Sequence, residues 1–165
     1  MRPPGLGSIS DSSISDSLTE DRLKNHNPQS TSETAALVAT LAADLRRLTE
    51  EGSSTGNNFL IIGCNPARNY YVQFLSSVGS AVMLAEAVSD AYVLGGPLTD
   101  DQRRRLRQLG WLKPTKKKRP NYWRRFSAIR DKDFTRMAEL AVTTLERVYG
   151  WNVAEGQPAV KIHFA

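Results

Sequence analysis

Few residues of this chain are able to do covalent or acid–base chemistry, and their spacing forms no catalytic motif. The single cysteine, Cys64, ends an apolar run. A nucleophilic thiol needs a nearby base or a positive field, so a buried, inert thiol is the favoured interpretation. His26 and His163 lie near the two ends of the sequence, where neither is well placed as a general base. We therefore predict no catalytic residues and no enzyme activity.

The same residues leave little material for a metal or cofactor site. Two histidines and one cysteine cannot form an ordinary Cys/His zinc site without several carboxylates. The segment 63–68 lacks the glycines and the Lys-Ser/Thr pair of a phosphate-binding loop. Glu86 and Asp90 could bind a cation or act as acid and base, although solvated charges are commoner at such positions. We expect no metal and no cofactor, and an enzyme using this pair would need both carboxylates in one pocket.

Positive charge is concentrated in the second half of the chain. The 165 residues carry a net charge of +5, yet residues 1–100 hold 6 basic against 11 acidic side chains. Residues 101–165 hold 16 basic against 6 acidic side chains, and 14 of the 16 lie between Arg103 and Arg136. This asymmetry bears on partners and solubility rather than on the fold.

Cationic and aromatic residues are interleaved between residues 111 and 125. Phosphate neutralisation combined with base stacking requires this pattern. Nucleic acid or another polyanion, bound through the basic loop 113–125, is therefore the alternative partner. Lysine-rich loops are usually just solvated, and Trp111 and Trp123 suit core packing as well as stacking.

A polar segment precedes the first expected helix. Residues 1–30 are rich in Ser, Asp, Asn and Pro and hold too few apolar residues to offset the entropy of ordering, which predicts a disordered leader. Ser30 and Glu33 match a capping box. Leucines then recur at helical spacing, at Leu37, Leu41, Leu45 and Leu48. With Gly52 as a left-handed end, the pattern predicts an amphipathic helix over 32–51.

Three strand-like runs follow that helix, at 59–64, 70–75 and 80–88. The short connections between them contain Pro or Gly, which is typical of hairpins and predicts an antiparallel meander. The third run contains Ala, Met and Glu and alone reads as a helix. A strand is favoured there because the meander needs a third member to bury its face.

A second capping box, at Thr99 and Gln102, predicts a short helix that ends at Gly110. Residues 111–130 carry two prolines and the basic cluster, so we expect an irregular basic loop. An apolar stripe after Asp131 predicts a long helix that begins there or at Asp133 and ends at Tyr149.

The predicted architecture is α+β: a helix, a three-stranded antiparallel meander, a second helix, an irregular basic loop and a long C-terminal helix. Helices then cover one face of the sheet. One domain spans 31–150. Residues 151–165 form a tail in which Val160, Ile162 and Phe164 alternate as in an edge strand. The other sheet face must be exposed or paired with another molecule.

Nothing in the sequence predicts a membrane or secreted protein. The longest apolar stretch, 59–64, is far shorter than the roughly 18 residues that cross a bilayer. The start shows no pattern of a secretory signal. A single cysteine is typical of a reducing compartment, so we expect a soluble, cytoplasmic protein with no membrane partner.

Several short motifs together resemble a known family, the actinobacterial TY-Chap domain of the superfamily of type III secretion chaperones and YbjN-like proteins. The motifs are Tyr70–Phe74, Glu86–Leu94, Leu98-Thr99, Leu106–Pro114 and Pro120–Trp123. The similarity covers about residues 32–150. Asp90 stands where the family usually has Asn. The motif positions also have a structural interpretation, in which Trp111 and Pro114 end the second helix and fill the core, and Asn121 caps the turn before Tyr122.

The resemblance implies a type III secretion chaperone-like fold and a non-catalytic, chaperone- or adaptor-like role, with a polypeptide client and often a homodimer. An uncovered sheet face or edge suits such a client. The basic loop would steer an acidic partner. The candidate partner-binding residues are Tyr71, Gln73, Lys113, Lys116, Lys117, Lys118, Arg119, Tyr122, Trp123, Arg124 and Arg125.

Overall fold

The computed structural model describes residues 28–115 and 118–165. In chain order its helices and strands are α1 (Pro28–Glu50), β1 (Asn58–Asn65), β2 (Tyr70–Ser76), β3 (Val82–Ala87), α2 (Asp100–Gln108), β4 (Tyr122–Ser127), α3 (Asp131–Arg147) and β5 (Ala159–His163), with a 3₁₀ turn at Val153–Glu155 before β5. The five strands form one sheet in the order β4-β3-β2-β1-β5, and every neighbouring pair is antiparallel. The α+β class is thereby confirmed.

One face of the sheet packs against the helices. Alternate residues of the central strands are buried there, among them Leu60, Ile62, Val72, Phe74, Met83 and Ala85. The leucine stripe of α1 and an apolar stripe of α3 complete the core, with Leu41, Leu45, Leu48, Met137, Ala141 and Leu145 all fully buried. This is the arrangement that the spacing of apolar residues predicts for amphipathic helices over a half-buried sheet.

Helix α1 begins earlier than the sequence predicts. It starts at Pro28, so residues 28–30, which we expected in the leader, are helical, and Ser30 does not mark its start. Proline is well tolerated in the first turn of a helix, where its missing N–H has no partner in any case. Gly52 follows the helix with φ of +87°, the left-handed conformation expected at that end. The rest of the leader, residues 1–27, lies outside the described residues.

The second capping box is confirmed. Gln102 N donates to Thr99 Oγ1 at 3.1 Å, and Thr99 N donates to the Gln102 side chain at 2.9 Å. The Gln102 amide also donates to Tyr70 Oη and to the Val148 carbonyl, which ties α2 to β2 and to the end of α3. Trp111 is buried just after α2 and donates to Thr144 Oγ1 at 3.1 Å, so it fills the core.

The sheet has two more strands than the meander predicts. The run 80–88 is confirmed as a strand, at 82–87, and the tail supplies the expected edge strand, β5, which pairs with β1. Our prediction that 111–130 is wholly irregular is wrong at 122–127, which forms β4 and pairs with β3. The cations of β4 hide its strand pattern, and the pairing with β3 decides its conformation.

Among the residues that the structure describes, no helix is both long and apolar enough to cross a membrane.

Candidate functional site

The side of the sheet away from the helices carries a second set of side chains, which we call the open face. These side chains alternate with the buried ones, and most of them are only half-buried. Two rows of directly opposed residues cross all five strands. The upper row is Trp123, Glu86, Gln73, Ile61 and Lys161, and the lower row is Arg125, Leu84, Leu75, Phe59 and His163. The open face is therefore apolar in its lower centre and cationic at its two edges.

A hydrogen-bonded group of polar side chains occupies the upper part of the open face. Gln73 Nε2 donates to Glu86 Oε2 at 2.6 Å, and Asn121 Nδ2 is 3.3 Å from the same oxygen. Asn121 Nδ2 also donates to Tyr71 Oη at 3.1 Å. The half-buried carboxylate of Glu86 is thus held by neutral donors, as a partly desolvated charge requires.

Asn121 joins this polar group to the loop after β3. Its side chain is 2% exposed, and its Oδ1 accepts a hydrogen bond from Ser89 N at 3.2 Å. Ser89 Oγ in turn donates to the Pro120 carbonyl at 2.5 Å. Our expectation that Asn121 caps the turn before Tyr122 is therefore wrong. Its hydrogen bonds go to residues distant in sequence, and it positions the open face instead.

Tyr71 presents a neutral phenol to the open face. Burial raises the pKa of its hydroxyl, and the hydrogen bond from Asn121 only partly offsets that rise. The hydroxyl therefore stays protonated at neutral pH and remains able to donate to an incoming acceptor.

Trp123 forms an aromatic corner of the open face at its β4 edge. The guanidinium carbon of Arg119 lies 4.6 Å from the centre of its ring. Within 28–115 and 118–165, its buried indole Nε1 finds no hydrogen-bond acceptor. Leu112 pairs with the Trp123 backbone at 2.9 and 3.1 Å and leaves half of its own surface exposed, which extends the apolar surface past β4.

A groove of about 590 Å³ crosses the other end of the open face, between the β1–β2 turn and the segment before β5. Its walls include Ile61, Cys64, Tyr71 and Gln157, and Lys161 is its one charged residue among those described. Burial raises the pKa of the Cys64 thiol to about 11, so the thiol is protonated at neutral pH. The groove offers an apolar and hydrogen-bonding surface rather than a reactive one.

The structure distributes the aromatic basic segment over both sides of β4. Tyr122 is buried on the helix side, and Arg124 on the same side donates to the Leu109 carbonyl at 3.3 Å. Trp123 and Arg125 lie on the open face. Lys113 and Lys118 are exposed in the loop before β4, and Lys116 and Lys117 lie outside the described residues. Tyr122 and Arg124 are thus not part of one basic surface with Trp123, and this placement lends no support to the nucleic-acid alternative.

Glu86 and Asp90 have separate partners. Asp90 accepts from Leu98 N at 2.8 Å and from Arg103 at 3.0 Å, whereas Glu86 accepts from Gln73 and Asn121. These contacts use both carboxylates in holding the fold. Within the described part of the chain, no group of three or more His, Cys, Asp or Glu side chains is arranged to hold a metal ion.

Sequence reasoning found Tyr71, Gln73, Trp123 and Arg125 on this face and missed its apolar centre and one of its cations. The missed residues are Phe59, Ile61, Leu75, Leu84 and Lys161. Strand alternation predicts two sets of residues but does not say which set the helices cover. The motif Pro120–Trp123 includes Asn121, but the sequence alone does not identify the distant residues to which Asn121 is hydrogen-bonded.

The comparisons with known proteins identify one family. The family described as TY-Chap3, "T3SS (YopN, CesT) and YbjN peptide-binding chaperone 3", matches residues 31–155. No curated protein and no solved structure matches the chain. The matched range spans β1 to β4, helices α2 and α3 and all of α1 after its first three residues, and β5 lies beyond it.

Proposed function

Because the chain belongs to the TY-Chap3 family of peptide-binding chaperones, we propose that it holds a polypeptide client on its open face, as a non-catalytic chaperone or adaptor. The observation that carries this proposal is the row of half-buried apolar residues on a sheet face that no described helix covers. Leu84, Leu75 and Phe59 stand side by side on three neighbouring strands. A contiguous apolar patch on the surface of a soluble domain commonly marks a site that binds another molecule.

Two parts of the open face have different roles in the proposal. The apolar centre supplies affinity, since removing apolar surface from water is favourable by about 2.5 kcal/mol per 100 Å² before the costs of association are subtracted. The polar group around Glu86 and the neutral hydroxyl of Tyr71 supply hydrogen bonds that orient the client. Both parts rest on adjacent, hydrogen-bonded strands of one sheet, so binding needs little ordering of the chaperone itself.

The experiment compares substitutions on the two sides of the sheet. The double variant Ile61→Thr with Leu75→Thr removes apolar surface from the open face and places threonine, which favours strands, at both positions. Val160→Thr is the matched control, because Val160 is 40% exposed and lies on the helix side of β5, opposite Ile62. The probe is a fluorescein-labelled peptide of alternating Leu and Ser, and binding is measured by fluorescence anisotropy.

We expect the double variant to bind the peptide about tenfold more weakly, which corresponds to about 1.4 kcal/mol, and the control to bind like the parent protein. Thermal unfolding of each variant establishes that it is folded, and the single variants serve if the double variant is not. Equal binding by the open-face variants and the parent protein would overturn the proposal.

The proposal also covers the oligomeric state of the protein and its location in the cell. We propose that the protein acts in the cytoplasm, in line with its single cysteine. We also propose a homodimer, as the family resemblance implies. Light scattering at several protein concentrations measures the mass, and a monomer throughout would contradict the dimer.

A further inference from the structure

We propose that the client segment carries an acidic residue on each side of an apolar centre. This inference rests on the proposed function, and it names the chemistry of the client that the open face selects. The reason is the position of charge: cations lie at both edges of the face, and the lower row of side chains between those edges is apolar.

The two edge strands each contribute one exposed cation. Arg125 ends the lower row on β4, and Lys161 ends the upper row on β5. In the described ranges, no carboxylate lies within ion-pair distance of either one. Glu86, the acidic residue of the two rows, is already held by Gln73 and Asn121. Both edge cations are therefore free to pair with carboxylates from another molecule.

The β4 edge shows a second sign of an acceptor-bearing ligand. The indole Nε1 of Trp123 is a buried donor that has no acceptor among the described residues, and Arg119 lies over the same ring. A buried donor without a partner costs about 1–3 kcal/mol, so a movement of this corner that lets a client oxygen accept from the indole N–H is favoured by the removal of that cost. The guanidinium of Arg119 over the ring adds positive charge to this corner, which favours an anionic acceptor over a neutral one.

The dimensions of the sheet set the length of the apolar centre. The edge strands β4 and β5 are four strand spacings apart, which is about 19 Å. Two residues of an extended segment lie that far apart when they are about six positions apart in its sequence. The long side chains of Arg125 and Lys161 tolerate one residue more or fewer. The client thus has two acidic residues flanking about five residues that are mainly apolar on the side that faces the sheet.

Three synthetic peptides test the inference by fluorescence anisotropy. All three share the five-residue centre Ser-Leu-Ser-Leu-Ser and carry Glu, Gln or Lys at both ends, so that in an extended peptide the two end residues point to the same side as the leucines. Each exposed ion pair is worth about twofold to fivefold in affinity. We therefore expect the Glu-flanked peptide to bind about fivefold to tenfold tighter than the Gln-flanked one, and the Lys-flanked peptide to bind most weakly. High salt should reduce the preference by screening exposed charges.

The charge variants assign the preference to the two edges. Arg125→Gln with Lys161→Gln should abolish the preference for Glu. The control Lys132→Gln with Arg136→Gln removes the same amount of charge from the exposed side of α3 and should retain the preference. Equal binding of all three peptides, or a preference that survives the Arg125 and Lys161 substitutions, would overturn this inference and leave the proposed function standing. Binding of none of the peptides would overturn both.

Discussion

Replacing Asn121 by alanine should destabilise the fold and loosen the open face together. Its side chain is 2% exposed and takes part in three hydrogen bonds, with Ser89 N at 3.2 Å, Tyr71 Oη at 3.1 Å and Glu86 Oε2 at 3.3 Å. No other described side chain replaces the bond to Ser89 N, whereas Glu86 keeps Gln73 as a donor. The variant therefore leaves a buried N–H unpaired and frees the Tyr71 side chain.

The size of the effect follows from those contacts. An unpaired buried donor costs about 1–3 kcal/mol, and the two remaining hydrogen bonds, one of which leaves Glu86 still paired with Gln73, add about 0.5 kcal/mol each. We expect Asn121→Ala to lower the free energy of unfolding by about 2–4 kcal/mol. In a domain of this size, that loss lowers Tm by about 6–15 °C.

Urea and thermal unfolding measure the loss, and Asn57→Ala is the matched control because Asn57 is exposed. The control should stay within about 0.5 kcal/mol of the parent protein.

Asn121→Asp keeps the acceptor for Ser89 N but sets a carboxylate beside Glu86, so the folded state should raise the pKa of the new carboxyl. The folded state then binds more protons than the unfolded one, and the stability of this variant should rise as the pH falls. A loss below about 1 kcal/mol for Asn121→Ala would refute the reasoning.

Two further predictions concern other buried groups. Asn58 is fully buried and donates to the Leu48 and Glu51 carbonyls at 2.9 and 2.8 Å. Asn58→Ala should therefore lower the free energy of unfolding, measured with urea, by about 2–4 kcal/mol. A loss no larger than that of Asn57→Ala would contradict this account of the end of α1. Burial raises the pKa of the Cys64 thiol to about 11, so the native protein should show thiolate absorbance only well above pH 9. Because the folded state keeps this proton to higher pH than the unfolded state, the free energy of unfolding should fall as the pH rises from 9 to 11. Titration of the thiol near pH 9 in the native protein would contradict its burial.

The helices and the central strands were predictable because each carries its own local signal. The leucine spacing of α1 and the capping box at Thr99 depend on residues within one element. Their predicted positions agree with the structure to within a few residues. The edge strand at 159–163 was also visible from its alternation of apolar and polar residues.

The open face was harder to predict because it depends on contacts between distant parts of the chain. The β4 segment alternates aromatic and cationic residues, and only its pairing with β3 shows that it is a strand. The hydrogen bonds of Asn121 span 32 to 50 residues. No local rule identifies such partners, nor does one say that Ile61 and Leu84 lie away from the helices. The chemistry of single residues was visible in the sequence, but their arrangement on one face was not.

The most direct test of the open face as the client site is chemical-shift mapping by NMR with the peptide of alternating Leu and Ser. We predict that the largest shifts occur at Ile61, Leu75 and Leu84 and at the indole N–H of Trp123. Residues on the outer surface of α1 and α3, such as Thr143, should change little. Shifts concentrated on those helices, with the open-face residues unchanged, would contradict the account.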